Sequence, residues 1–566
     1  MNMETRNCKN CQSDFTIEPE DFKFYEKMQV PPPTFCPECR LVRRLVLRNE
    51  RTLYKRNCDL CKKEIVSMYS ADKPFPVYCY ACWWGDKWDP YSYGRDIDFS
   101  RPFFEQYLEL QNAVPRVGLF NSNTVNSEYS NYALDDKNCY LCFRTVVSEN
   151  CFYAYYCYKG KDLIDSSYTH TGELLYECFD TRNCYNSRYL IDSENCIDSA
   201  YSYDLKNCSH CIFSSNLRNK QYYVRNKQVT PEEFQKIWND VVTGSRLKTK
   251  DAKQKLLALY RERAIHRYNM ILKSTNARGA KIVNSKNMHE VYYATNSENV
   301  RYGDDIERAR DSMDAKGPED SEKLYEVCSI DNACYNIFFS NFCQKGCRDI
   351  FYSSFCVNSQ NCFGSIGLKN SEYCILNKRY DKEEYLKLKD RLIEHMTRTG
   401  EWGENFPVNL SPFAYNETVV MEFFPIERDE ALKKGYKWQD VKTGTYGQET
   451  LSQEDLPDDI KNISDSILNE VFACIECKRN YRLTPHELEL YKQLNICIPE
   501  KCYECRYRER LVWRLPRKLW TRWCSCDIKN HEMHNGEKCK NEFETSYTPD
   551  RPEIIYCEEC YLKEVV

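Results

Sequence analysis

Histidine is scarce in this sequence: 8 residues in 566, and none within residues 1–57. Metal chemistry must then be mostly thiolate, and a histidine-rich nuclease centre is excluded from that first segment. Net charge is also small, with 80 basic against 85 acidic side chains, so only local clusters of charge can point to a partner. No apolar run approaches the roughly 20 residues that span a bilayer. The polar start, MNMETRNCKNC, has no apolar stretch of the kind an export signal carries. These absences lead to the expectation of a soluble, cytoplasmic chain without a membrane partner. Missing as well are an HExxH, a phosphate-binding Gly-rich loop, a Gly-x-Ser-x-Gly and a recognisable Cys/His pair, so no catalytic residues and no enzyme activity are expected. The length calls for several domains.

What the chain has is cysteine, 34 residues of it. In a long chain without an export signal, paired CxxC spacing points to reduced thiols and metal. Cys8-x2-Cys11 with Cys36-x2-Cys39 makes one four-thiolate set, and Cys58-x2-Cys61 with Cys79-x2-Cys82 a second. Near the other end stand Cys474-x2-Cys477 with Cys502-x2-Cys505, then Cys539 with Cys557-x2-Cys560. Adding 466 to Cys8, Cys11, Cys36 and Cys39 gives the second quartet, and the same shift carries Arg40, Arg44, Arg48 and Arg51 onto Arg506, Arg510, Arg514 and Arg517. That correspondence reads as a duplication. In the last set the shift grows from 466 at Cys58→Cys524 to 478 at Cys61→Cys539, a 12-residue insertion. Its fourth ligand is Cys524 or Cys526, with His531 and His534 as lesser candidates. Four tetrahedral thiolates favour structural zinc, so four Zn2+ ions are expected, and no other small-molecule cofactor.

The expected fold is mainly β with some α: treble-clef and zinc-ribbon modules at both ends flank a Cys/Asn-rich, parallel β-helix-like centre. The segments are a treble-clef module (1–57), a ribbon with aromatic linker and a helix over 102–112 (58–118), a first β-helix-like region (119–230) and a basic helical arm (231–280). A second β-helix-like region with its capping helix (281–395), a connector (396–470), a treble clef (471–523) and a ribbon (524–566) follow. The β-helix expectation comes from Asn-Cys dipeptides at Asn138-Cys139, Asn150-Cys151, Asn183-Cys184, Asn195-Cys196 and Asn207-Cys208, spaced by 12, 33, 12 and 12. A repeat of 11 or 12, doubled to about 22–24 per coil, fits stacked ladders. These cysteines are read as a dry interior ladder; Cys139-x2-Cys142 and Cys208-x2-Cys211 leave one more metal site as the alternative. A shift of 151 relates Cys211, Leu217, Tyr222 and Asn226 to Cys362, Leu368, Tyr373 and Asn377, and each copy runs into a helix start, Thr230…Glu233 and Asp381…Glu384.

Three basic stretches suggest phosphate contacts. Arg40, Arg43, Arg44, Arg48 and Arg51 follow the second CxxC, and Arg506, Arg510, Arg514 and Arg517 repeat them. Residues 246–281 hold eleven Lys or Arg, among them Lys253, Arg261, Arg263 and Arg267, over a helically spaced stripe of Leu256, Tyr260, Ala264, Tyr268 and Ile271. The same stripe also fits a plain solvated face over a buried seam.

The segments FTIEPEDFKFYEKM, TFCPECRLVRRLVLRNERTLYKR, DPYSYGRDIDFSRPFFEQ, SPFAYNET, ALKKGYKW and TSYTPDRPEIIYCEECY together resemble a family of long cysteine-rich zinc-ribbon proteins from uncultured small-genome bacteria. The resemblance covers nearly the whole chain and implies the zinc modules but little about function. Some relatives carry an automatic CoA-transferase label, for which this sequence offers no basis. The reading is a non-catalytic zinc scaffold that binds nucleic acid, RNA before DNA. A scaffold for a protein partner is the alternative, and an enzyme acting on a polymer along the β-helix face is third.

Overall fold

The computed structural model describes residues 3–317, 319–330, 332–440, 444–528, 534 and 537–566. The chain forms two compact units, Met1–Leu119 with Asn269–Val441, and Phe120–Tyr268 with Lys442–Val566. Each is mainly β and holds one parallel stack of strands and two four-cysteine groups. Chain order and unit membership cross. The N-terminal modules group with the second stack, and the first stack with the C-terminal modules; the four-cysteine groups stand at both ends of the sequence as expected, with the parallel strands between them divided into two stacks.

In the first stack each strand pairs in parallel with the next, twelve residues along: Phe143↔Tyr155, Ser167↔Phe179, Ser209↔Gln221. This is the geometry of a parallel β-helix, with a coil of 12 residues rather than the expected 22–24. The cause lies in the backbone. From Tyr132 to Tyr222 every third residue has a positive φ, near +50°. Four bends per coil give a narrow tube whose sides are three residues long. Left-handed backbone costs about 1–2 kcal/mol for most L-residues and least for Asn and Asp. Asn138, Asn150, Asn183, Asn195 and Asn207 all stand at bends. Their amides form ladders, Asn138 Nδ2 donating to Asn150 Oδ1 at 3.1 Å and Asn195 Nδ2 to Asn207 Oδ1 at 2.8 Å.

The residue after each bend points inward, and the bore admits only small or slender side chains. Cys139, Cys142, Cys151, Ala154, Cys157, Leu163 and their successors form one buried cluster. Interior serines accept from the backbone N–H of the next coil, as Ser127 Oγ does from Cys139 N at 3.0 Å. Interior thiols donate to carbonyls, as Cys142 Sγ does to Cys151 O at 3.1 Å. These bonds satisfy backbone groups beside the bends that a strand would otherwise satisfy by pairing.

The second stack, from Ile271–Leu272 to Glu372–Ile375, follows the same rhythm with local slips. Its offset widens to 13 at Glu322↔Tyr335 and Asn341↔Ser354, where a coil takes one extra residue. Both stacks finish alike. Asn226 Oδ1 accepts from Ser215 N and its Nδ2 donates to Ser215 O; Asn377 does the same with Ile366. Each side chain imitates the missing next strand. A two-residue antiparallel return follows, and then a helix, Pro231–Val241 or Lys382–Thr399. Thr230 and Glu233 form the full reciprocal cap, whereas Asp381 accepts from Glu384 N at 2.8 Å.

The linker helix is confirmed at Phe103–Ala113. The basic helix is shorter than its periodicity suggested, running Arg246–Glu262 with Ala252, Leu256 and Tyr260 buried. Ala264, Tyr268 and Ile271 lie beyond it, because Ile265–Arg267 leaves the helix to pair in parallel with Ile554–Tyr556.

One interior position is out of character. Asp136 is buried in the bore, accepting from Ser148 N at 2.9 Å and from Thr145 Oγ1, and burial raises its carboxyl pKa to about 7. A folded pKa above the unfolded one means the charged form opposes folding, by an amount absent near pH 4 and complete above pH 7. Asp136→Asn should therefore stabilise the chain at pH 8, by up to about 4 kcal/mol, and leave it nearly unchanged at pH 4 and below; melting curves of both proteins across that range measure it.

Candidate metal centres

All four modules are built the same way. Two cysteines, a CxxC in three modules and Cys524 with Cys539 in the last, sit between two short antiparallel strands, and the other CxxC opens a helix. Cys8 and Cys11 lie between Glu4–Asn7 and Asp14–Ile17, and Cys36 precedes the helix Pro37–Leu45 with Cys39 in its first turn. Cys502, Cys79 and Cys557 likewise precede Tyr503–Arg510, Tyr80–Trp84 and Glu558–Val565. A helix N-terminus presents free N–H groups and partial positive charge, which favour thiolate. In three modules the N–H of the helix-capping cysteine points at the first sulfur: Cys36 N to Cys8 Sγ at 3.3 Å, Cys79 N to Cys58 Sγ at 3.3 Å, Cys557 N to Cys524 Sγ at 3.2 Å. Burial pushes the Cys58 thiol up, but backbone N–H groups of Cys61 and Cys79 outweigh it and hold the thiol at about 7; Cys474 is held at about 7 in the same manner by Cys477 and Cys502.

The sulfurs converge in fours: Cys8, Cys11, Cys36 and Cys39; Cys58, Cys61, Cys79 and Cys82; Cys474, Cys477, Cys502 and Cys505; Cys524, Cys539, Cys557 and Cys560. Four sulfurs about 2.3 Å from a tetrahedral ion stand about 3.8 Å apart. The observed separations are 3.8 Å for Cys11–Cys36, 3.9 Å for Cys61–Cys79, 3.6 Å for Cys477–Cys502 and 4.0 Å for Cys539–Cys557. The donors fit a metal ion. Cys524, not Cys526, completes the last tetrad. Cys526 gathers instead with His534 and Cys560, and His531 lies outside the described residues.

No protein-family model matches the chain, and no curated protein was found to match it.

Most of the arginines after each second CxxC are turned away from solvent; Arg508 is exposed. In the N-terminal unit Arg40 is 1 % exposed, with Nε 2.7 Å from Asp314, and Arg44 reaches the same carboxylate at 3.0 Å. Arg43 bridges Glu326 at 2.6 Å and Glu404 at 2.9 Å, and Arg48 pairs with Glu50. The other unit repeats the scheme, with Arg506 2.8 Å and Arg510 2.9 Å from Asp165 and Arg510 3.6 Å from Glu177. Arg514 is buried, and Arg51 and Arg517 are half-buried. A guanidinium sealed against carboxylates is unavailable to phosphate, so the expected contacts through Arg40, Arg43, Arg44, Arg48, Arg506 and Arg510 are withdrawn, and that through Arg514 is withdrawn because the residue is buried. On the helix Arg246–Glu262 and just beyond it, Lys253 lies 3.4 Å from Glu509 and Arg267 pairs with Glu558, while Arg261 and Arg263 are exposed.

Sequence reasoning missed the acceptors. Asp165 and Glu177 stand 12 apart on successive coils, as do Asp314 and Glu326, and both pairs end in Leu-Tyr-Glu, at Leu175–Glu177 and Leu324–Glu326. That shift, 149, was available as a signal.

Two measurements follow from this geometry. Cys58→Ala should lower the metal content by one ion per chain, whereas Cys142→Ala, in the bore, should leave metal content unchanged; elemental analysis of the purified variants separates a ligand from an interior thiol. Asp314→Asn should strand Arg40 and Arg44 without full compensation and cost about 3–5 kcal/mol, read as a lowered unfolding midpoint.

Proposed function

We propose that this protein is a non-catalytic scaffold stapled by zinc, whose two units are duplicated copies of one design. Closed tetrahedral thiolate sites favour zinc and leave no coordination position for a substrate, which supports a structural role. The strand turn, helix and helix-opening knuckle of residues 4–45 and 472–510 fit the treble-clef outline. The duplication is supported by three separate shifts: 466 for the cysteines and arginines, 151 for Asn226 and Asn377, and 149 for the carboxylates that receive the arginines. The observation that carries the scaffold reading is the last one. In both units the helix opened by the second CxxC, Pro37–Leu45 or Tyr503–Arg510, turns buried arginines onto the neighbouring coils, so their charge joins module to stack.

The partner we infer is a protein. One outer ladder of the first stack runs Lys137, Glu149, Lys161, Glu173, Tyr185, Ile197 at successive coils. Its charges neutralise one another, Lys137 with Glu149 at 2.8 Å and Lys161 with Glu173 at 3.0 Å, and Tyr185 and Ile197 stand exposed beside them. A flat, charge-balanced face with exposed apolar groups suits a protein surface better than a phosphate backbone. Nucleic acid remains the second reading on the strength of Lys250, Arg261 and Arg263, which are exposed on and beside the helix Arg246–Glu262. A pull-down from cells, with proteomics and nucleic-acid sequencing in parallel, identifies the partner, and a salt titration of the recovered complex tells the readings apart. A protein partner should bind with nearly constant affinity across salt and be lost with Tyr185→Glu plus Ile197→Glu. A nucleic acid whose affinity falls steeply with salt and which ignores that double substitution would reverse the assignment.

A further inference from the structure

We propose that the last module holds two metal ions, joined through the Cys560 thiolate, and that the second has an open coordination position. The inference rests on the zinc reading of the four-cysteine sites. Cys560 belongs to two donor groups at once: with Cys524, Cys539 and Cys557, and with Cys526 and His534. Within each group the donor atoms lie within 4.8 Å of one another. Cys526 Sγ stands 3.7 Å from His534 Nε2. Sulfur at about 2.3 Å and nitrogen at about 2.0–2.1 Å from a tetrahedral zinc ion are about 3.6 Å apart, so the pair is spaced as two ligands of one ion.

The histidine is also set up for the role. Its Nδ1 contacts the Glu537 carbonyl oxygen at 2.5 Å. A carbonyl can only accept, so Nδ1 carries the proton and Nε2 keeps its lone pair, directed toward Cys526; this is how a metal-binding histidine is usually oriented. Cys526 is fully buried, and its carbonyl accepts from Cys539 N at 2.9 Å, which ties it to a ligand of the tetrad. The source of these donors is specific. Cys526 and His534 both lie in the stretch lengthened by 12 residues relative to Cys58–Cys61, a segment with no counterpart in the N-terminal module.

One tetrahedral ion cannot accept all six donors. Two ions can, if the Cys560 sulfur uses two lone pairs to bridge. The first ion is then closed by four thiolates. The second has Cys526, Cys560 and His534, three protein ligands, and its fourth position takes water or a small soft ligand such as a thiol, the arrangement of an open rather than a structural site. His534 is half-buried, which leaves that side reachable.

Metal per chain, measured by elemental analysis and native mass spectrometry on the full-length protein purified under reducing conditions with zinc, tests this. Five ions are expected, falling to four in Cys526→Ala and in His534→Gln. In the cobalt-substituted protein, 2-mercaptoethanol should shift the visible d–d bands, and neither variant should show that shift. Four ions in the parent, or a count unchanged by both substitutions, overturns the second ion while leaving the zinc reading intact. A parent protein without metal overturns both. A cobalt spectrum indifferent to the thiol overturns the open position.

Discussion

A guanidinium taken out of water costs several kcal/mol unless a carboxylate and further acceptors receive it. Arg40 and Arg506 are buried on those terms, each with its Nε on an aspartate of a neighbouring coil and an Nη1 on the backbone carbonyl five residues earlier. The arrangement tolerates little error in the placement of the helix. In each case the helix begins at a cysteine pair, Cys36 with Cys39 and Cys502 with Cys505, so an ion held by those sulfurs fixes the first turn and with it the reach of the arginines one turn on. The metal sites and the buried ion pairs are two ends of one short lever.

The stacks supply the other half of that contact. A bend at every third residue is an expensive backbone, and it persists because each coil reinforces the next through strand pairing, amide ladders and interior serine and thiol hydrogen bonds. Regularity has a consequence for function: corner residues 12 apart in sequence stand on adjacent coils. Asp165 with Glu177, and Asp314 with Glu326, are presented as ready-made acidic pairs for an arginine helix. The same repetition on another face gives the alternating Lys and Glu ladder.

Much of this was legible in the residues, and the failures have physical causes. The ligand quartets could be read because CxxC spacing is a local geometric requirement. The Asn-Cys rhythm revealed the coils because Asn suits a left-handed bend and Cys a narrow bore. Coil size was misjudged because widely spaced dipeptides hide the true period of three, which shows only when Cys, Ser, Ala, Gly, Thr and Leu are grouped as one class of slender interior residues. The fate of the arginines was hidden because charge is visible in a sequence and burial is not. Asp314 lies 274 residues from Arg40 and Asp165 lies 341 residues from Arg506. The helix through residue 262 was overextended because Ala264, Tyr268 and Ile271 keep a helical spacing by accident while the chain there is extended.

The claim that ions position the arginine helices is tested most directly by amide hydrogen exchange on the intact chain with and without its metal. The account predicts that stripping the ions removes protection at residues 37–45 and 503–510 and also loosens the coils around 313–326 and 165–177, which receive their arginines. Full protection at both helices and both sets of coils in the metal-free protein would contradict it.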